Sequence, residues 1–205
     1  MTARHLEFLV EEPSMEKFLR TLLPRLMPRD RTFEVHAFEG KPDLLNKLES
    51  RLRGYARWLP DCWRIVVVVD RDDEDCRRLK ERLEVAALRA DLSTKSNSES
   101  QQWQLVNRIA IEELEAWYFG DWQAVKAVYS RVSADTPNRR NFRNPDAIAG
   151  GTWEAFERVL QRHGYFENGL AKNEAARAIG SAVDPARSRS RSFQIFWQAL
   201  QEAMA

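Results

Sequence analysis

The stretch "WRIVVVVDRDDEDC" (63–76) decides how the chain folds. Residues 65–69 are five consecutive β-branched apolar residues, and five carboxylates follow within six positions. A strand with one wet face alternates apolar and polar side chains. An unbroken β-branched run instead fits a strand covered on both faces, as in the middle of a parallel sheet. The carboxylates at its mouth have two explanations. A helix starts there, or a cation sits there.

Working outward, "HLEFLV" (5–10) is a short strand and "PSMEKFLRTLLPRL" (13–26) a helix. Ser14 is a candidate cap, and Pro24 should bend or end the helix. "TFEVHAF" (32–38) alternates like a strand, and "KPDLLNKLESRLRGYARWL" (41–59) puts Leu44, Leu45, Leu48, Leu52 and Tyr55 on one helical face. A third helix is predicted over "DDEDCRRLKERLEVAALRA", then a polar connection (91–103), a fourth strand "QLVNRIAI" (104–111), and one continuous helix from Glu112. Strand and helix thus alternate through the first 130 residues. That order implies an α/β fold, a parallel sheet of about four strands with helices on both faces. Residues 131–151 form a polar loop, and three helices follow. The predicted organisation is an α/β domain over 1–130 and a helical C-terminal extension over 131–205, packed on the same domain.

The chain has 205 residues, 43% of them hydrophobic and 31% charged, enough for a real core. With 32 basic and 31 acidic residues the net charge is +1, so any affinity for nucleic acid must rest on local patches. Two cysteines and three scattered histidines make neither a disulfide framework nor a zinc motif. No membrane span or secretory leader is visible, and a cytoplasmic protein is expected. There is no P-loop signature, so the chain is not itself an ATPase of that kind. A homodimer is compatible with this composition.

Helix capping accounts for part of the acidic run, because carboxylates at a helix start meet its positive end. Asp70 precedes any helix. In extended chain Asp70 and Asp72 point to the same side, about 7 Å apart at the backbone. Other predicted strands also end in acids: Glu11-Glu12, Glu39, and Glu112-Glu113 with Glu115 close behind. All C-terminal ends of a parallel sheet lie on one edge, where open α/β proteins place their sites. Oxygen ligands suit Mg²⁺ or Mn²⁺. Asp70 and Asp72, joined by Glu113 or Glu115, are the candidate ligands. Which of Glu11, Glu12, Glu112, Glu113 and Glu115 face the metal stays open. Lys41, at the same edge, is a candidate for neutralising a phosphate oxygen. The basic stretches "NRRNFR" (138–143) and "RSRSRS" (187–192) nominate Arg139, Arg140, Arg143, Arg189 and Arg191 as contacts to a nucleic-acid backbone. Arginines at the start of the last helix oppose its dipole, which favours a binding role for them. The tryptophans sit at core or interface spacing.

A glutamate closing a first strand and Asp-x-Asp closing a later buried strand resemble the Toprim domain of topoisomerases, DnaG-type primases and overcoming-lysogenization-defect (OLD) nucleases. "FLVEEPSMEKFLRTLLPRL", "FEGKPDLLNKL", "RIVVVVDRDDEDC", "RIAIEELEAWYFGD" and "SRSRSFQIFWQAL" together look like a bacterial family of Toprim-like proteins of unknown function. That family is related to the Toprim parts of OLD-type and phage-defence nucleases, so the resemblance covers nearly the whole chain. It implies a Rossmann-like sheet, Glu11 as general acid/base, and Asp70 and Asp72 as the Mg²⁺ pair. It further implies metal-dependent phosphodiester hydrolysis of DNA or RNA in phage defence or repair, together with an ATPase partner. The alternative it allows is a non-catalytic adaptor that binds an ATPase or nucleic acid. Toprim glutamates are commonly followed by Gly, whereas Glu12 follows Glu11 here.

Overall fold

The computed structural model describes residues 2–98 and 102–205. Four parallel strands form one sheet in the order β2-β1-β3-β4. They are β1 (His5–Val10), β2 (Thr32–Ala37), β3 (Trp63–Asp70) and β4 (Leu105–Ala110). Helices α1 (Pro13–Leu26), α2 (Lys41–Ala56) and α3 (Cys76–Arg89) make the crossovers. The chain steps from β1 outward to β2, then back past β1 to β3 and β4. Right-handed crossovers therefore place α1 on one face and α2 and α3 on the other. The switch point of this strand order lies between β1 and β3.

Pleat parity explains the apolar run of β3. Val66 and Val68 join the core on the α1 face, while Ile65, Val67 and Val69 join the core under α2 and α3. All five are fully buried, so neither face can carry a polar residue. β1 follows the same rule, with Leu6, Phe8 and Val10 on the α1 face and Leu9 on the other. Glu7 shares Leu9's parity and is buried, but it is fully partnered. It accepts from Tyr55 Oη at 2.9 Å and lies 2.7 Å from His36 Nε2 and 3.1 Å from His5 Nε2. Two of the scattered histidines thus converge on one carboxylate.

The predicted continuous helix after β4 is two helices, α4 (Leu114–Gly120) and α5 (Trp122–Val128). Asp121 breaks them. Its carboxylate caps α5 through the Ala124 N–H and accepts from Asp184 N–H and the Arg187 guanidinium. The polar loop 131–151 is a series of 3-10 turns, and it is packed: Phe142 stacks on Phe119 with ring centroids 5.1 Å apart. Helices α6 (Thr152–Gln161), α7 (Lys172–Gly180) and α8 (Arg191–Met204) follow as expected. They share one core with α1 and the sheet, in which Trp117 stacks on Phe196 at 4.9 Å.

Several local expectations change. Pro24 lies in the last turn of α1, so the helix simply ends at Leu26. Ser14 is inside that helix, and Glu12 is the N-cap residue. Helix α3 begins at Cys76, with Asp75 as its cap, so Asp72, Asp73 and Glu74 belong to a turn. In the connection 91–103, residues 99–101 lie outside the described residues, and Thr94 bridges to Leu105. Trp58 is 55% exposed rather than core.

Candidate functional site: a carboxylate cluster at the sheet switch point

Glu11 follows β1 and Asp70 ends β3, so the switch point brings them together. The backbone N–H of Asp70 donates to Glu11 Oε2 at 3.1 Å. Asp70 shares the parity of Val66 and Val68, so its side chain points to the face covered by α1 and the C-terminal helices. It is buried, and its Oδ1 has no hydrogen-bond partner among the described residues. Burial pushes the Asp70 carboxyl well above the usual range, and the carboxylates of Glu11, Glu115, Glu12 and Asp72 push the same way. Burial also raises Glu11, to about 7, against the opposing pull of the Asp70 N–H and Lys41.

The rest of the acidic edge divides in two. On one side Asp72 sits at φ 50°, so the chain turns directly after Asp70. The expectation that the two aspartates share one side therefore fails, because extended backbone stops at Asp70. Asp72 Oδ2 accepts instead from Lys41 Nζ at 2.6 Å. Lys41 is buried at the start of α2; it also donates to the Arg71 carbonyl at 3.1 Å and lies 3.4 Å from Glu74. Burial opposes the charge on Lys41, but its bond to Asp72 and the carboxylates of Asp72, Glu11 and Glu74 hold its pKa above the ordinary value. Lys41 thus belongs to the site, but a carboxylate already engages it.

On the other side lie Glu12, Glu115 and Lys172. Glu115 is buried in α4, and burial raises it to about 7 even though Lys172 pulls the other way. Lys172 opens α7. Burial opposes its charge too, and Glu115, Glu12, Glu113 and Asp70 together outweigh that and raise its pKa. Tyr118 presents a buried hydroxyl with no partner among the described residues, and its pKa rises through burial first and then the nearby Glu115, Asp70 and Glu12. Lys172 and Tyr118 were absent from the sequence-derived set. A lysine opening a helix opposes the dipole, so "AKNEAARAI" carried a faint signal; Tyr118 carried none.

Two predicted ligands go elsewhere. Glu113 Oε2 accepts from the Thr152 N–H, the Thr152 hydroxyl and the Trp153 N–H, at 3.0, 2.9 and 2.9 Å. It caps α6 from outside, which satisfies helix-end donors. Glu112 pairs with Arg71. Of the five candidate glutamates, Glu11, Glu12 and Glu115 therefore lie near enough to Asp70 to raise its carboxyl, and Glu12 also accepts from the Ser14 hydroxyl. Among the described residues, no three His, Cys, Asp or Glu side chains are arranged as a ready metal-binding group. The donor set nevertheless fits a hard cation: the buried Asp70 carboxylate with an unpartnered oxygen, and the half-buried Glu11 held beside it by the Asp70 N–H, both raised in pKa chiefly by burial.

The predicted basic contacts also separate. Arg143 Nε donates to the Asn138 carbonyl, and Arg189 Nη2 to the Pro137 carbonyl. The serines of "RSRSRS" hold α8. Ser190 caps it through the Phe193 N–H, and Asp146 accepts from the Ser192 N–H at 2.9 Å. Asp146 therefore answers the dipole conflict that the arginines seemed to create. Arg191 is exposed at the first turn of α8, and Arg139 and Arg140 are exposed on the 3-10 turns.

These features define an α/β protein with a buried carboxylate cluster at the carboxyl edge of its sheet. The chain belongs to a family described as a domain of unknown function (DUF4276), whose model matches residues 10–201. No curated protein and no solved structure matches it significantly. No helix of the described residues is long and apolar enough to cross a membrane.

Proposed function

We propose that this chain is a divalent-metal-dependent phosphodiesterase acting on DNA or RNA, with its centre at Glu11 and Asp70. The observation that carries this reading is the unpartnered, buried Oδ1 of Asp70 beside Glu11, at the switch point of a parallel sheet. A buried, unsatisfied carboxylate is destabilising by about 1–3 kcal/mol or more unless a ligand completes it. The resemblance of the strand-end acids to the Toprim pattern supports the same assignment and suggests an ATPase partner in defence or repair.

Asp70 and Glu11 would hold Mg²⁺ or Mn²⁺, with Asp72 joining once it leaves Lys41. A bound divalent cation supplies positive charge for the phosphate oxygens and lowers the pKa of a coordinated water. In hydrolysis the water oxygen bonds to phosphorus and the P–O bond to the leaving oxygen breaks. One proton leaves the water and one reaches the leaving oxygen. Glu11 would either complete the metal shell or, left outside it, exchange that proton with the attacking or leaving oxygen. Lys41 and Lys172 flank the cluster from opposite sides and would hold the phosphate, Lys41 after exchanging its bond to Asp72.

The test is Mg²⁺ and Mn²⁺ titration calorimetry on the wild type and on Asp70→Ala with Asp72→Ala. Saturable binding lost in the double variant, followed by metal-dependent cleavage of DNA or RNA, supports the reading. A folded wild type that binds neither metal, alone or with an oligonucleotide, sinks it. A non-catalytic adaptor is the second reading, favoured by Asp72 and Glu113 being engaged within the protein.

A further inference from the structure

The acid-rich edge has a counterpart of opposite sign. Between the 3-10 turns at 136–142 and helix α6 lies an open cleft of about 650 Å³. Arg139 and Arg140 line it from the turns, and Arg158 and Arg162 from α6 and its C-cap. Phe142 and Ile148 contribute apolar wall. Among the described residues, no acidic side chain lines it. The groove between α2 and α3, in contrast, interleaves its arginines with Glu49 and Glu81.

All four cleft arginines are exposed, and none forms an ion pair or a side-chain hydrogen bond among the described residues. Four like charges facing one cavity repel one another, and no ion pair among the described residues offsets them. Such an arrangement is stabilised by a polyanion. Guanidinium groups bind phosphate oxygens in pairs, with fixed geometry and no dependence on base identity. Arg158 and Arg162 come from a helix turn apart, while Arg139 and Arg140 come from a separate segment. Only folding unites the two pairs.

The cleft is also connected to the carboxylate cluster. Helix α6 starts at Thr152, which Glu113 holds against the acidic edge. Arg158 and Arg162 follow six and ten residues later, about 9 and 15 Å along the helix axis. A strand of a few nucleotides spans that length.

We propose that this cleft binds single-stranded nucleic acid through its phosphate backbone, guiding the strand toward the Glu11–Asp70 edge. A concave basic wall beside apolar surface suits a flexible strand. Binding stands independently of the metal centre; its role as a substrate guide rests on the phosphodiesterase reading.

The experiment is fluorescence anisotropy with labelled oligo-dT and oligo-U, and with a duplex of equal length, all in EDTA. The proteins are wild type, Arg158→Ala/Arg162→Ala, and Arg77→Ala/Arg78→Ala on α3 as a control of equal charge change. Expected is single-strand binding that the α6 pair weakens roughly tenfold or more and the α3 pair leaves unchanged. The slope of log affinity against log salt should shrink by about 1.4 in the α6 variant. Absent binding, or equal loss in both variants, overturns the proposal. Tighter binding of poly-glutamate than of either oligonucleotide overturns it in favour of an acidic protein partner. Asp70→Asn separates the two readings: strand binding kept without metal-dependent cleavage in any protein retains the cleft and removes the nuclease.

Discussion

The backbone N–H of Asp70 donates to Glu11 Oε2, joining the ends of two neighbouring parallel strands at the point where the strand order reverses. This contact holds the half-buried Glu11 at the end of the strand that carries the buried Asp70, with the nearby positive charge, Lys41, already held by Asp72. The fold therefore carries an electrostatic deficit at one spot.

A cation should relieve that deficit. Mg²⁺ or Mn²⁺ is expected to raise the melting temperature of the wild type by several degrees, since about 1 kcal/mol moves a domain of this size by roughly 2–4 °C. Asp70→Asn removes the carboxyl whose ionisation burial opposes, so the metal-free variant should melt at or above the wild type and respond little to metal. Differential scanning fluorimetry with and without EDTA reads both effects. An Asp70→Asn protein that responds to metal like the wild type places the ion elsewhere.

Glu115 should make stability depend on pH. Its folded pKa, about 7, lies above the ordinary 4.5, so its contribution is fully present below pH 4.5 and lost as pH rises through 7. That displacement from 4.5 to about 7 corresponds to about 3 kcal/mol. Glu115→Gln stays neutral throughout, so it should gain on the wild type by up to that amount between pH 5 and pH 8. Urea unfolding in EDTA at both pH values checks this; a constant difference between the two proteins would reject a buried, raised Glu115.

Arg187 supports a buried charge from outside. It pairs with Asp121, whose side chain is 1% exposed, against 36% for the arginine. Arg187→Ala leaves that carboxylate with only the Ala124 and Asp184 N–H groups and should destabilise by about 1–3 kcal/mol. Adding Asp121→Asn to Arg187→Ala should recover part of the loss. Denaturant midpoints of the single and double variants decide; additive losses would mean the pair is not coupled.

Gly180 marks where α7 approaches α1. A Cβ built there would lie 2.7 Å from the Phe18 carbonyl oxygen and 2.3 Å from Thr21 Oγ1. Gly180→Ala should therefore cost about 1–3 kcal/mol through overpacking, despite the better helix propensity of alanine. Adding Thr21→Ala should return only part of it, because the backbone carbonyl remains. A thermal melt indistinguishable from wild type would mean the helices part freely.

The sheet was legible because β3 breaks alternation: Ile65–Val69 can be buried only on two faces. The acidic edge was legible because parallel strands share a carboxyl end, which brings Glu11 and Asp70 together from residue order alone. What stayed hidden depends on contacts between distant residues. Glu113 looked like a ligand until Thr152 and Trp153 arrived with their N–H groups. Asp72 looked like Asp70's twin, but a left-handed residue turned it to Lys41. The break after β4 was signalled by Gly120 followed by Asp121, a glycine next to an N-cap residue; what stayed hidden is that Arg187, 66 residues away, fixes that aspartate. The basic cleft was half visible: Arg139 and Arg140 form a run, while Arg158 and Arg162 look like ordinary surface charge on a helix.

The contact of Trp117 with Phe196 has a bearing on how the chain emerges during synthesis. The four-stranded sheet is complete by residue 110, yet its α1-side cover includes Phe193, Phe196 and Leu200 of α8. The Ala3 N–H meets the Ala203 carbonyl at 2.8 Å, tying the start of β1 to the far end of the same helix. A nascent chain therefore carries an uncovered apolar sheet face until α8 is out, which is the kind of surface that engages chaperones.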